Sequence, residues 1–192
     1  MSTTGIYGFY KSEEFKVTYN HYFSSLEILG LSITEFVKSN SINELNRICD
    51  RIIMVDEFIN PTELQISEFK EYINPDDFSN EITWNNLLFK YRGDLSAYEK
   101  ETRFMIDSSF VRNTPSCEWA YIINLDTDSL EIYFDNSPLI DGIPLFEVST
   151  DAIELLISEF NTIQRIKNTY PKEQINYIID KLKSLEYKNN NF

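Results

Sequence analysis

Two stretches of period-two alternation, far apart in the chain and separated by a long block of helical period, most constrain what this sequence can fold into. The first covers residues 5–10 and 15–21, two short β segments joined by Lys11-Ser12-Glu13-Glu14, a hairpin-length connection. In its second segment Phe15, Val17, Tyr19 and His21 share one face, and Lys16, Thr18 and Asn20 share the other. Gly8, set between aromatics, lets a neighbouring strand or a ligand come close to the backbone. The second stretch is Trp119–Leu125 and Leu130–Phe134, flanking the turn Asp126-Thr127-Asp128-Ser129, and it is the clearest hairpin in the chain. The order of two strands, helices, three strands and helices predicts the α+β class. The expected architecture is a single domain over residues 1–187, with a small antiparallel sheet built from the N-terminal and late hairpins and covered by several helices. Residues 188–192 are expected to form a frayed tail.

The helical middle spans about residues 26–104. Leu26, Leu29, Ile33, Phe36 and Val37 make a helical stripe that Gly30 weakens at its start. Ser41-Ile42-Asn43-Glu44 is a capping box, and Leu45, Ile48, Ile52 and Val55 continue it as a helix ending near Phe58. Asn60-Pro61 opens another helix, asparagine as cap and proline at the first helical position, and Asn74-Pro75-Asp76-Asp77 breaks it. Trp84 to about Phe104 reads as one longer helix with Gly93 as a kink. After the late hairpin, Pro138 and Pro144 bracket a loop and Leu145–Val148 is a short strand. Ser149 or Thr150 then caps a helix carrying Ile153 and Leu156, and Pro171 starts the last one.

Composition narrows the function classes. With 42% hydrophobic residues, including 14 Phe and 12 Tyr, the chain has the apolar area for a real core and is not a disordered one. Seventeen Lys and Arg against 31 Asp and Glu give a net charge of -14, with no basic stripe. Duplex nucleic acid and an anionic membrane surface are therefore excluded as expected partners. No apolar stretch approaches the roughly 20 residues of a membrane span, and Met1–Gly5 lacks the start of a signal peptide. Cys49 and Cys117 are too few for a disulfide scaffold and wrongly spaced for a metal knuckle. A reduced, cytoplasmic protein is the expectation, without cofactor or metal.

Several residues are weighed as sites. His21, the one histidine, and Asn20 before it are the first candidates: a donor or general base near neutral pH, against a strand-end histidine that holds a turn. Ser2, Thr3 and Thr4 do not make an N-terminal nucleophile, because removal of Met1 exposes Ser2 while the glycine-rich strand follows Thr4. Asp126 and Asp128 lack the further oxygens of a calcium loop and read as turn caps. Both cysteines read as small core residues. Tyr7, Phe9, Tyr10, Tyr19, Tyr22 and Phe23 either line a stacking pocket or belong to the core.

Thr3, Gly5, Tyr7, Gly8 and Phe9, then Lys16, Thr18, Tyr19, Asn20 and His21, then Ser24, Leu29 and Gly30 resemble the opening of a family of small uncharacterised proteins of phages, bacteria and fungi. Its members begin Met-Gly-Thr-Arg-Gly and continue through Tyr-Asn-His, Asp-Ser-Tyr-Pro and Leu-Gly. The late hairpin, Glu118–Asp126 with Leu130-Glu131, is similar to the family's second block. This chain departs from the pattern in having Thr4 for arginine, Phe23 for aspartate and Ser25-Leu26 for Tyr-Pro. A charged pair lost together is one that served either a catalytic site or a structural contact since replaced by apolar packing. The resemblance implies a phage or mobile-element context in a host cytoplasm. The resulting expectation is a non-enzymatic binding protein that sequesters a small signalling molecule or blocks a host defence protein. Its ligand site would be Tyr7, Tyr19, Asn20 and His21, with homo-oligomerisation left open. The alternatives are a small hydrolase or transferase using His21 as general base, and an acidic inhibitor or nucleic-acid mimic that docks on a basic protein.

Overall fold

The computed structural model describes residues 3–69, 82–111, 114 and 116–169. Internal packing divides the chain into two compact units, Met1–Ile153 and Glu154–Phe192, and all the strands among the described residues lie in the first. The helix predicted from Pro171 and the break at residues 74–77 lie outside the described residues.

The fold is α+β, built on a five-stranded sheet of order β2-β1-β5-β6-β7. Strands β1 (Gly5–Lys11) and β2 (Glu14–Asn20) form one antiparallel hairpin, and β5 (Trp119–Asn124) and β6 (Ser129–Phe134) form another. The two hairpins meet through β1 and β5, which run parallel, with Tyr7 beside Tyr121 and Gly8 beside Ile122. The sheet is therefore mixed, where the sequence suggested an antiparallel one. A parallel pair needs a long crossover between its strands, and the whole helical middle supplies it.

Gly8 sits at the centre of this arrangement, paired with Val17 on one side and Ile122 on the other. Its φ is 149°, and a Cβ there would lie 2.1 Å from the Lys16 carbonyl oxygen. The close approach that the sequence suggested is thus by a strand. On one sheet face Ile6, Val17, Ala120 and Ile122 pack with Cys117. On the other lie Tyr7, Phe9 and Tyr121, all fully buried, and Phe9 meets Phe36 edge-on at 6.3 Å. Burial of each such large side chain contributes about 1.5–3 kcal/mol.

Phe36 belongs to α1 (Leu31–Ser39), which follows a single π turn at Leu26–Gly30. Next comes α2 (Ile42–Arg51), capped by Ser41, whose hydroxyl accepts from the Glu44 N–H. The reciprocal half of the expected capping box is missing, because the Glu44 carboxylate turns to Arg47. The helix also stops well before Phe58. Lys16 Nζ on β2 donates to the carbonyls of Cys49 and Ile52, both at 2.9 Å, and closes the helix end. The β-branched run beyond it becomes β3 (Ile53–Val55), paired in parallel with β4 (Phe104–Ile106).

The helix expected from Asn60-Pro61 starts two residues later, where Thr62 and Gln65 make a complete capping box for α3 (Glu63–Glu68). The long helix expected over Trp84–Phe104 is broken into α4 (Trp84–Leu88), a 3-10 turn at Phe89–Tyr91 and α5 (Ala97–Lys100). Gly93, with φ of 78°, makes the break rather than a kink. Trp84, Leu87, Leu88, Tyr91 and Ala97 from these pieces enclose Val55, Phe104 and Ile106 of the two-stranded sheet in a second core.

At the other sheet edge, Pro138 and Pro144 belong to strand β7 (Ser137–Pro144), paired antiparallel to β6 with irregular register. Proline is tolerated there because an edge strand has one side free of ladder bonds. Leu145–Val148, expected as a strand, begins with the turn closed by Glu147 N–H to Pro144 O. The last described helix is α6 (Thr150–Thr169), with the Ser149 hydroxyl accepting from the Ala152 N–H.

Gly8→Ala should lower unfolding free energy by roughly 2–4 kcal/mol, from backbone strain and a clash that no side-chain movement relieves. Urea denaturation followed by tryptophan fluorescence measures it, and a loss under about 0.5 kcal/mol would contradict the close β1–β2 approach.

Candidate functional site

Beside the β2 edge of the sheet lies a cleft of about 390 Å³. Tyr7 of β1, Thr18 and Tyr19 of β2, and His21 just beyond β2 form one wall. The opposite wall comes from the helical middle: Glu57 after β3, Asn85 and Leu88 on α4, Tyr91 and Arg92 at the break, and Tyr98 on α5. The third side is closed by Ile106 at the end of β4, Ser108 and Phe110 after it, and Ser116 before β5. A backbone bond from Ser108 N–H to Val17 O, 3.1 Å, fastens that segment to the sheet.

Tyr7 joins the two main walls. It is completely buried, and its hydroxyl accepts from the Gly93 N–H at 2.7 Å and donates to the Tyr91 carbonyl at 3.4 Å. Burial pushes its phenol far above the usual tyrosine range. It stays neutral and acts as a strut. Burial raises Tyr98 in the same way, with Tyr7 and Asp94 adding to the effect.

Three hydroxyls in the cleft are placed differently. Thr18, Tyr98 and Ser108 are 7%, 3% and 4% exposed, and all three line the cavity. Among the described residues none of their hydroxyls hydrogen-bonds another protein group. Their oxygens reach the cavity rather than lying sealed in the interior, so they are free to bond a molecule that occupies it.

The charged groups of the cleft are organised around an amide. Asn85 Oδ1 accepts from Arg92 Nη2 at 2.8 Å, and Asn85 Nδ2 donates to Glu57 Oε2 at 3.3 Å. Arg92 also lies over the Phe89 ring, 5.2 Å from its centre. Among the described residues Arg92 and Glu57 form no direct ion pair, and the guanidinium makes no hydrogen bond besides that to Asn85.

Of the four residues picked from sequence, Tyr7, Tyr19 and His21 line the cleft and Asn20 does not. Asn20 is buried, and its Nδ2 donates to Tyr22 O (2.6 Å) and Ser24 Oγ (3.1 Å), holding the turn after β2. Tyr19 donates to the Ser116 carbonyl at 3.2 Å, and its ring meets that of His21 edge-on at 4.5 Å. His21 is itself exposed, and among the described residues neither ring nitrogen is hydrogen-bonded. Desolvation, then the Arg92 charge, hold its imidazole below the usual histidine range, while Glu57 pulls the other way. His21 is accordingly neutral at pH 7.

The other candidates have structural partners. Asp126 accepts from the Ser12 N–H with both carboxylate oxygens, 2.9 and 3.0 Å, and closes the first hairpin turn. Among the described residues no group of three or more His, Cys, Asp or Glu is placed to hold a metal ion. Cys49 and Cys117 are buried, and burial raises the Cys49 thiol above its usual range. Phe9 and Tyr10 pack against Phe36 and Phe15. Tyr22 and Phe23 are exposed, so neither belongs to the core. Thr4 donates to the Ser116 carbonyl at 2.8 Å.

Sequence reasoning missed Thr18, Glu57, Asn85, Arg92 and Ser108. They come from distant segments, and no spacing links them; the one local signal is the turn-forming Gly93-Asp94 after Arg92. In comparison with known proteins, no family model, curated protein or solved structure matches the chain.

Two outcomes follow. Tyr7→Phe leaves the Gly93 N–H without its acceptor, so thermal or urea unfolding should show a loss of roughly 1–3 kcal/mol. The one histidine gives a single imidazole C2–H proton resonance, whose titration midpoint should fall below 6.5, the usual value. A group held low in this way is most stabilising above its usual pKa, and that contribution fades as pH falls through the folded value. Arg92→Gln should move the midpoint up and Glu57→Gln should move it down; no movement in either would dissolve the cleft electrostatics described above.

Proposed function

We propose that this protein binds a small polar molecule in the cleft beside β2 and holds it without turning it over. The observation that carries this reading is the set of cavity-facing hydroxyls on the buried residues Thr18, Tyr98 and Ser108, which line the cleft and lack protein partners among the described residues. A cavity of about 390 Å³ lies at the small end of ligand sites. Its mixture of aromatic walls and a few convergent polar groups is typical of such sites. Binding is favoured over catalysis because His21 is exposed and, among the described residues, no carboxylate orients its imidazole and no nucleophile is hydrogen-bonded to it. In the phage or mobile-element setting that the resemblance implies, the protein would sequester a host small molecule in the cytoplasm.

Native mass spectrometry of protein purified gently, with no ligand added, tests the reading. A reproducible excess mass of a few hundred daltons is expected, and Thr18→Val with Ser108→Ala should weaken its retention by roughly tenfold per hydroxyl lost. Protein that carries no added mass, and whose cleft resonances no metabolite extract perturbs, would refute it. Turnover of the bound compound that disappears in His21→Ala at unchanged affinity would refute the non-enzymatic part.

A further inference from the structure

We infer that the ligand of this cleft is a small zwitterion of amino-acid to dipeptide size, its carboxylate met by Arg92 and its ammonium by Glu57. The inference rests on the cleft being a ligand site and adds the class of molecule it takes.

Among the described residues, Arg92 and Glu57 are the one cationic and the one anionic side chain that line the cavity. They bind the two ends of the same Asn85 amide, 2.8 Å from Arg92 and 3.3 Å from Glu57, and among the described residues they do not pair with each other. The amide keeps the two charges apart while keeping them in reach of one small molecule. Each has unused capacity. A guanidinium has five N–H donors in a fork suited to carboxylate, and Arg92 uses one of them on protein among the described residues. Glu57 likewise has one carboxylate oxygen outside its bond to Asn85.

Single-charge ligands fit less well. An anion would meet Arg92 with Glu57 as an unpaired like charge close by, in a protein of net charge -14. A cation would meet Glu57 with Arg92 as the repelling neighbour. A zwitterion laid along the Arg92-Asn85-Glu57 line satisfies both and adds no net charge. The hydroxyls of Thr18, Tyr98 and Ser108, which line the same cavity, then stand ready for a polar side group. The volume of about 390 Å³ admits a side group of aromatic size and excludes a dinucleotide.

Isothermal titration calorimetry on the full chain, at fixed ionic strength, tests this with matched probes. L-tyrosine and glycyl-L-tyrosine carry both charges; tyramine lacks the carboxylate, and 3-(4-hydroxyphenyl)propionate lacks the ammonium. At least one zwitterion should bind, and each single-charge analogue should bind about tenfold or more weakly. In Arg92→Gln the zwitterion should lose its advantage over tyramine but keep that over the propionate, and in Glu57→Gln the reverse. Circular dichroism and thermal unfolding of both variants establish that they fold. A single-charge analogue that binds as tightly as the zwitterion, or selectivity unchanged in both variants, would overturn the inference. If no probe binds but native mass spectrometry finds a bound mass that Thr18→Val with Ser108→Ala releases, the zwitterion assignment fails and the cleft reading stands. If neither method finds a ligand, both fail.

Discussion

The hydroxyl of Tyr7 is the contact on which the rest of the structure depends. It sits on the central part of the sheet, completely buried, and takes the Gly93 N–H at 2.7 Å from a turn more than eighty residues away in the chain. That bond does two things. It gives a partner to the backbone at the break between α4 and α5, where no helix ladder can supply one. It also ties the helical middle to the sheet at the point where the cleft opens, so the cleft walls cannot separate without exposing a buried phenol. Desolvation keeps that phenol protonated, and a proton donor and acceptor in one group is what the Tyr91 carbonyl and Gly93 N–H together require.

The strand carrying Tyr7 can hold this position because Gly8 follows it. The Lys16 carbonyl occupies the space where a Cβ would stand, which draws β2 tightly against β1. Lys16 in turn sends its ammonium to the last carbonyls of α2. One strand pair therefore fixes both a helix end and the start of β3, and β3 leads directly into Glu57. The Glu57 part of the cleft wall thus follows directly from a segment that the hairpin anchors.

What was legible in the sequence follows the range of the interactions involved. The two hairpins, the Ser41 cap and the stripe of α1 are decided by residues near one another, and local pattern exposes them. The end of α2 was not legible, because its stop comes from a lysine on a distant strand and its apolar spacing continues smoothly into β3. The break of the presumed helix over Trp84–Phe104 is of the same kind: Tyr91 and Tyr98 keep helical spacing, and the Gly93 turn, closed locally by Asp94 N–H to Tyr91 O, also depends on the distant Tyr7 hydroxyl as acceptor for the Gly93 N–H. Proline misled the reading of β7, since whether it breaks a strand depends on whether that strand lies at an edge, which is a property of the whole sheet. For the cleft, Tyr7, Tyr19 and His21 stood out because they cluster in sequence. Glu57, Asn85 and Arg92 acquire meaning only when α4 and the loop after β3 are folded against each other.

The strongly acidic composition and the proposed ligand class bear on one another. A net charge of -14 produces a field that disfavours anions over the whole surface, and salt damps it within about 8–10 Å. A polyphosphate or nucleotide would have to enter against that field and find one guanidinium at the end of it. A zwitterion has no net charge for the field to act on. It responds instead to the local dipole from Glu57 to Arg92, which is short-ranged and little affected by the distant carboxylates. On the proposed reading, the acidic composition would disfavour anionic competitors without weakening recognition of a zwitterion in the cleft. The composition would then bear on specificity through its long-range field rather than through a contact in the cleft.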